Sequence, residues 1–453
     1  MMNVKANIKR LAYMYLICII AFSSTSSSAG TFQLIALATT KVAFALLALF
    51  FLIENIIEKK MKISYSILPL VLFGIYCVLS SFFTDYEYSI SSLIYSIFTC
   101  LIFSQSFDSE EDIEMFFKIC VIGGYLLIAF LILKSGNLST LLKTISSNAL
   151  SEILIQKNIL AFLMAVVSAI CFFYGNTVRR KEYYFIMICP TLMLLATGSR
   201  RGIISLFIGI VLIMLLDGGG VKRYKNILLA IIMILILKEL LSLPIFSSMN
   251  ARLTSLIEGI NGNAAFSNSD ESRFEMIQTG LNMFCNKPLF GYGAGAFKEI
   301  GGYGKYSHNN YVELLVNFGF FGFVMYYYVV FYQLKCAVLR IKYGARIEKL
   351  FITILIMRLV SDFGNVSYYD KFSLAVIGII MCYFNKRVYA VEKEAENYRF
   401  IVDRFGGGGG DLLDKWKKTF GDSYEKGILE FPFIDSAILT RKYRTGRECI
   451  IYG

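Results

Sequence analysis

The sequence predicts an all-α polytopic membrane protein with about twelve transmembrane helices and one long extracytoplasmic loop that contains short helices. Hydrophobic residues make up 56% of the chain and charged residues only 17%, and the mean hydropathy is +0.60. Soluble domains contain about a quarter charged residues, so this chain has too few polar side chains to cover a water-facing surface. Its apolar runs approach the length of a helix that crosses a hydrocarbon core about 30 Å thick.

The apolar runs follow one another along residues 1–390, which we interpret as a single transmembrane domain. The expected spans are 11–28, 31–53, 65–83, 90–107, 116–133, 158–175, 183–198, 202–216, 226–246, 309–334, 350–366 and 372–384. The division between 183–198 and 202–216 depends on Arg200 and Arg201, because two adjacent arginines are costly in hydrocarbon.

Lysine and arginine clusters in alternate loops predict the orientation, because such residues are enriched on the cytoplasmic side. The clusters are Lys59-Lys60-Lys62, Arg179-Arg180-Lys181, Lys222-Arg223-Lys225, residues 335–349 and Lys386-Arg387. We therefore expect both termini to be cytoplasmic. Arg200, Arg201 and the long loop 247–308 then face the opposite side of the membrane.

Residues 391–453 are polar and basic, and we expect them to form a cytoplasmic tail with a glycine-rich linker at 406–410. The tail is either loosely ordered or a small partner-binding module. The net charge of +12 does not indicate nucleic-acid binding, because the basic residues lie in short clusters between apolar runs. Most of the ten cysteines lie within apolar runs, where they act as small hydrophobic residues.

The sequence contains one histidine, His308, at the point where the long loop re-enters the membrane. Histidine is the usual proton acceptor near neutral pH, although a histidine at a membrane interface can also be a bystander. Asn309 follows directly, and nine residues later come Gly319 and Gly322. We expect these two glycines to permit close packing between apolar helices.

Arginine residues in the outward segments are candidates for binding a phosphate group. Arg200 and Arg201 lie in a tight loop, and a guanidinium fork matches two phosphate oxygens at once. Contact with lipid headgroups is the simpler alternative. Arg273, near the start of a predicted helix, is a second candidate because helix N-termini attract anions. Its alternative is a surface salt bridge with Asp270 or Glu271.

Other charged or glycine-rich features have less specific interpretations. Arg358 and Asp362 fall within a predicted span, and their spacing of four residues favours an ion pair on one helix face. Lys41 is a third charge within a span, and such charges are candidates for function. The alternating glycines of 291–295 follow no predicted strand, so we interpret them as a turn and not as a nucleotide-binding loop.

Several of these segments together resemble the O-antigen ligase and O-antigen polymerase superfamily of bacterial surface-polysaccharide enzymes. The most specific element is His308-Asn309 followed, after nine residues, by Gly319-x-x-Gly322. The other elements are Ser199-Arg200-Arg201-Gly202, Arg273, Pro288–Gly293 and, more weakly, Gln156-Lys157-Asn158. The resemblance covers 150–335 by motif and 1–390 by the number of spans. Arg201 departs from the ligase pattern, which often has glycine there.

The resemblance implies glycan transfer from an undecaprenyl-diphosphate-linked donor at the outer face of the bacterial inner membrane, with inversion and without a metal or other cofactor. Arg200 and Arg273, with Arg201 and Lys157, would bind the diphosphate. His308 would accept the proton from the attacking hydroxyl or orient that hydroxyl. Asn309, Gly319 and Gly322 would support the site.

Polymerase and ligase functions share this chemistry and differ in the acceptor. The departure at Arg201 favours a polymerase, and transfer to lipid A-core or another acceptor by a ligase is the alternative. A polysaccharide-repeat flippase is an alternative of another class, which Lys41, Arg358 and Asp362 would favour. The expected partners are an undecaprenyl-diphosphate-linked oligosaccharide and membrane lipids, with chain-length regulator and flippase proteins as further candidates.

Overall fold

The computed structural model describes residues 4–22, 31–58, 66–82, 84, 90–107, 109–146, 157–217, 268–341 and 346–385. Regular secondary structure in these ranges is entirely helical. The helices are α1 (Val4–Phe22), α2 (Thr31–Glu58), α3 (Leu68–Ser81), α4 (Ser91–Phe103), α5 (Glu110–Ser135), α6 (Leu138–Ser146), α7 (Lys157–Asn176), α8 (Glu182–Ala196), α9 (Arg200–Asp217), α10 (Asn268–Asn286), α11 (Ala296–Ile300), α12 (Asn310–Ile341), α13 (Ile347–Asp362) and α14 (Lys371–Asn385).

Among the described residues, four helices are long and apolar enough to cross a membrane, judged by length and composition: part of α2 (Ile35–Ile57), α5, α7 and α12. The shorter apolar helices are α3, α4, α8 and α14. Each predicted span other than 226–246 overlaps a helix, and the helix that overlaps 309–334 is broken at Gly319. The span 226–246, the loop residues before 268 and the tail 391–453 lie outside the described residues. The structure supports a helical membrane protein, and the number of spans stays a prediction.

Helix α7 occupies the centre of the bundle and is buried along most of its length. It packs against α5, α8, α9 and α13, while α2 packs on α1 and exposes much of its apolar surface. Helix α9 packs between α7 and α13. This arrangement brings the first residues of α7 and α9 together at one end of the bundle, which is the end that carries His308.

Helix α12 is broken at Gly319, whose backbone has φ 64° and ψ −166°. The break exposes the carbonyl oxygens of Val316 and Asn317, which accept hydrogen bonds from the N–H groups of Tyr292 (2.9 Å) and Gly293 (2.8 Å). On the other side of the break, the N–H of Phe320 donates to Pro288 O at 2.8 Å. The turn at 288–293 therefore supplies the backbone partners that the broken helix lacks.

The two motif glycines of α12 have different neighbours. A Cβ atom at Gly319 would collide with the carbonyl oxygen of Leu289 in that turn, so the expectation of close helix packing is wrong at this position. A Cβ atom at Gly322 would collide with Phe318 Cβ of the same helix, and the Phe73 ring of α3, at 3.5 Å, would be in ordinary contact, so this glycine accommodates the break in α12 more than it permits close helix packing. Glycine is needed at 319 because its positive φ is unfavourable for other residues.

The segment between α10 and α11 is a turn, as the alternating glycines predict. Gly291, Gly293 and Gly295 all have positive φ, between 68° and 101°. A Cβ atom at Gly293 would collide with the side chain of Thr84, which follows α3. Because these glycines have no Cβ atom, the turn can pack closely against α12 and against the end of α3.

Candidate active site

The loop before α12 is held by its own polar side chains. Asn309 is the N-cap of α12, because its Oδ1 accepts hydrogen bonds from the N–H groups of Tyr311 (3.0 Å) and Val312 (3.2 Å). The Ser307 hydroxyl donates to Asn309 O at 2.8 Å, and the Ser307 N–H donates to Glu313 Oε2 at 2.7 Å. Asn309 is 5% exposed, so its contribution is to fix the loop.

His308 lies within this loop in the left-handed backbone conformation, with φ 57°. This conformation is uncommon for a residue with a Cβ atom and persists where the surroundings enforce it. The hydrogen bonds of Ser307 and Asn309 on either side provide that enforcement. The imidazole is half-buried, and its centre lies 4.4 Å from the centre of the Tyr306 ring. The strained backbone of His308, held by these hydrogen bonds, therefore fixes the direction of the imidazole.

Burial lowers the pKa of His308 from 6.5 to about 4, and neighbouring positive charges add to the effect. Those charges belong to Arg273, Arg201 and Lys305, in decreasing order. The imidazole is therefore neutral at pH 7 and carries a free lone pair that can accept a proton. Three cations near one neutral base are also an arrangement that suits a multiply charged anion.

Arg201 reaches this site from the first turn of α9. Its guanidinium packs against Gly364, which follows the end of α13, and a Cβ atom there would collide with it. Just before α9, the Ser199 hydroxyl donates to Asn158 Oδ1 at 3.2 Å, in the first turn of α7. Lys157 is the first residue of α7, so this contact brings the segments around Lys157 and Arg201 together.

Arg273 reaches the site from α10, which packs against α12. A small apolar cluster of Met276, Phe297, Val312 and Val316 fills the interface of these elements. Gly280 lies at the closest approach, because a Cβ atom there would collide with Val312. This packing fixes α10 beside the start of α12 and so brings Arg273 close to His308.

The structure therefore brings together His308, Arg273 and Arg201 from the residues that the sequence singles out. Arg200 begins the same helix as Arg201, but Arg201 is the member of the pair whose charge acts on His308. Lys305 and Tyr306 also belong to the site and carry no motif of their own. Their closeness in sequence to the single histidine is the signal that could have identified them.

Arg358 and Asp362 lie one turn apart on α13, and a serine hydroxyl connects them. Arg358 Nη2 donates to Ser367 Oγ at 3.4 Å, and that hydroxyl donates to Asp362 Oδ1 at 2.5 Å. Asp362 Oδ2 also accepts hydrogen bonds from Tyr327 OH (2.9 Å) and Asn310 Nδ2 (3.4 Å). The expected direct ion pair is replaced by a buried network that joins α13 to the first residue of α12.

Residues 185–327 match the family model described as O-antigen ligase. The matched region contains Arg200, Arg201, Arg273 and His308, and it ends within α12. Lys157 lies before it, and Arg358 with Asp362 lies after it. No curated protein matches the chain.

Proposed function

We propose that the chain is a surface-polysaccharide polymerase of the O-antigen ligase and polymerase superfamily, because the O-antigen ligase family model matches residues 185–327 and Arg201 departs from the ligase pattern. It transfers glycan from an undecaprenyl-diphosphate-linked donor to a lipid-linked repeat-unit acceptor at the outer face of the bacterial inner membrane. One observation carries the proposal: Arg201, Arg273 and Lys305 all lie near enough to His308 for their charges to lower its pKa, so that the base is neutral at pH 7.

The cations bind the diphosphate of the donor. Guanidinium groups form charge-assisted hydrogen bonds to phosphate oxygens, and these bonds strengthen as negative charge develops on the leaving group. Arg201 and Arg273 are the principal ligands. Arg200 and Lys157 begin α9 and α7 at the same end of the bundle and extend the site.

The transfer is a single displacement at the anomeric carbon of the donor sugar. The acceptor hydroxyl oxygen forms a bond to that carbon while the bond to the diphosphate oxygen breaks, and the electron pair of the broken bond leaves with the lipid diphosphate. The configuration is inverted because attack and departure occur on opposite faces. His308 accepts the proton from the acceptor hydroxyl.

Substrate binding adjusts the strength of the base. Without an anion, burial and the surrounding cations hold the pKa of His308 at about 4, which makes it a weak proton acceptor. A bound diphosphate places negative charge beside the ring and raises the pKa back towards its ordinary value. The imidazole therefore becomes a better base when the donor is in place.

A ligase is the second candidate, and the description of the matching family model favours it. The donor and the displacement are the same, and the acceptor is lipid A-core or another glycolipid. Deletion of the gene distinguishes the two functions, because lost polymerisation leaves single lipid-linked repeat units. Lost ligation leaves long lipid-linked chains. A flippase would instead leave its lipid-linked substrate on the cytoplasmic side.

Substitutions in a deletion strain test the proposed transfer. We expect His308→Ala, Arg201→Ala and Arg273→Ala each to abolish long surface polysaccharide on gels while the amount of protein in the membrane stays unchanged. Lys298→Ala is the matched control, because this lysine lies on α11 with its side chain 51% exposed. Full chain formation by His308→Ala would refute the role of the imidazole.

A further inference from the structure

A cavity of about 270 Å³ lies beside the candidate active site, between α7, α13, α14 and the turn that joins α13 to α14. Two of its features connect it to that site. Tyr306 lines the cavity, and its ring lies against His308. Asn365 also lines it and follows Gly364, against which Arg201 packs. The cavity therefore adjoins both the proton acceptor and one of the proposed diphosphate ligands.

Arg358 lines the cavity and is only 4% exposed. Its Nη2 group donates to Tyr326 OH and Ser367 Oγ. Within the part of the chain that the structure describes, its Nε and Nη1 groups have no hydrogen-bond partner. Buried N–H donors without acceptors are rare and unfavourable. Two donors without partners, on a side chain that belongs to the cavity lining, are therefore candidates for hydrogen bonds to the oxygen atoms of a ligand.

The acidic residues of the cavity wall already accept hydrogen bonds from other groups of the protein. Asp362 accepts hydrogen bonds from Tyr327 and Ser367. Asp370 accepts a hydrogen bond from the Ser373 N–H at 2.8 Å in the first turn of α14. With Arg358 and Lys371, the lining carries two positive and two negative charges. Because these charges cancel, the cavity favours an uncharged polar ligand over an anion such as a second phosphate group.

The remaining lining has the composition expected for a carbohydrate site. The side chains of Ser92 and Ser361 offer hydroxyl groups, and Tyr306, Tyr369 and Phe372 offer aromatic surface. Sugars present hydroxyl groups around the ring and C–H groups on its faces, which match these two kinds of wall. The volume lies below the range of about 300–1,000 Å³ typical for drug-sized ligands, so it suits one ring.

We propose that this cavity is the subsite for one uncharged sugar ring of the lipid-linked glycan, with Arg358 donating hydrogen bonds to its hydroxyl oxygens. This assignment rests on the proposed function. It adds a sugar-recognising wall, formed by α13, α14 and the turn between them, which lies outside the region that the family model matches.

The test compares two lipids on the purified full-length protein in nanodiscs. The first is undecaprenyl diphosphate without sugar, and the second is the lipid-linked glycan extracted from a strain that lacks the gene. Two variants alter the cavity: Arg358→Met removes the donors, and Asn365→Trp fills the space. Lys298→Trp places the same bulk at an exposed position of α11 and serves as the control.

We expect both cavity variants to bind the sugar-free lipid as the wild type does and to bind the glycolipid about tenfold more weakly. Glycolipid affinity that stays at the wild-type level in both variants would overturn the sugar subsite and leave the proposed transfer intact. An equal loss of both lipids would also overturn it, because the cavity would then serve the diphosphate. A wild-type protein that binds neither lipid would refute the proposed function itself.

Discussion

The guanidinium group of Arg201 packs against Gly364, although 163 positions separate the two residues in the chain (364 − 201). Gly364 follows the last turn of α13, and its missing side chain leaves the space that the guanidinium occupies. The contact holds Arg201 beside His308 and, through Asn365, beside the cavity. It links the region matched by the family model to the turn that follows α13.

Gly364→Ala should lower polysaccharide formation about tenfold, equivalent to about 1.4 kcal/mol in the barrier, because the new methyl group displaces Arg201. The thermal unfolding temperature should change little, since a long flexible side chain can move aside. Because Arg201→Ala alone abolishes chain formation, the double variant is compared by its affinity for undecaprenyl diphosphate, and in an Arg201→Ala background Gly364→Ala should weaken that affinity no further. A further loss in that double variant would show that Gly364 acts by another route.

The single histidine allows the titration of the site to be followed without ambiguity. In protein labelled with isotopic histidine, we expect one NMR signal that stays in the neutral form from neutral pH down to about pH 5 and titrates near pH 4. Added undecaprenyl diphosphate should raise that pKa, because its charge offsets the surrounding cations. A midpoint that stays near 6.5 with and without the lipid would contradict the cationic surroundings of His308.

The same pKa shift determines how His308 affects stability. The pKa of the folded state lies below the ordinary value of 6.5, so between about pH 4 and 6.5 the unfolded chain binds more protons. The contribution of His308 to stability is therefore fully present above pH 6.5 and is lost as the pH falls through this window. Denaturant unfolding in detergent at pH 5 and 7.5 should show a smaller pH dependence for His308→Gln than for the wild type.

Gly319→Ala should destabilise the protein strongly. The substitution combines a backbone with φ 64° and a collision with Leu289 O, and the backbone strain alone costs about 1–3 kcal/mol. Gly136→Ala is a matched control, because Gly136 also has a positive φ, of 83°, but no atom lies within 4 Å of the added Cβ. Thermal unfolding should separate the two variants, and equal losses would show that the contact with the turn is unimportant.

Glu313 should act as a positioning residue for His308. Its carboxylate accepts hydrogen bonds from the Ser307 N–H at 2.7 Å and from Asn317 Nδ2 at 3.2 Å. Glu313→Ala leaves the Ser307 N–H without this acceptor, at a cost of about 1–3 kcal/mol, while Glu313→Gln keeps an amide oxygen in reach. We expect the alanine variant to shift the histidine NMR signal and lose chain formation, and the glutamine variant to rescue both.

Helix positions follow well from the sequence because apolar runs of membrane length leave few alternatives to a helix. Side-chain direction does not follow in the same way. Arg200 and Arg201 are adjacent and chemically identical, and the packing of α9 against α7 and α13 determines which of them faces His308. No periodicity in the sequence contains that information.

The link between Arg358 and Asp362 shows a second feature that the sequence alone does not predict, namely which side chains come between two charged residues. Their spacing within one helix predicts a direct pair, whereas Ser367 and Tyr327 approach from other parts of the chain and provide hydrogen bonds instead. The cap formed by Asn309 is a more local feature. A short polar residue before an apolar helix could have indicated it.

The break at Gly319 separates a short stub, residues 310–318, from the rest of a helix of 32 residues. The turn at 288–293 forms hydrogen bonds with the backbone on both sides of the break, and these bonds hold the stub against the turn. Long transmembrane helices change their tilt when bilayer thickness changes. His308 lies in the loop that leads into the stub, so we expect tilting of the longer segment 320–341 to change the position of the imidazole little.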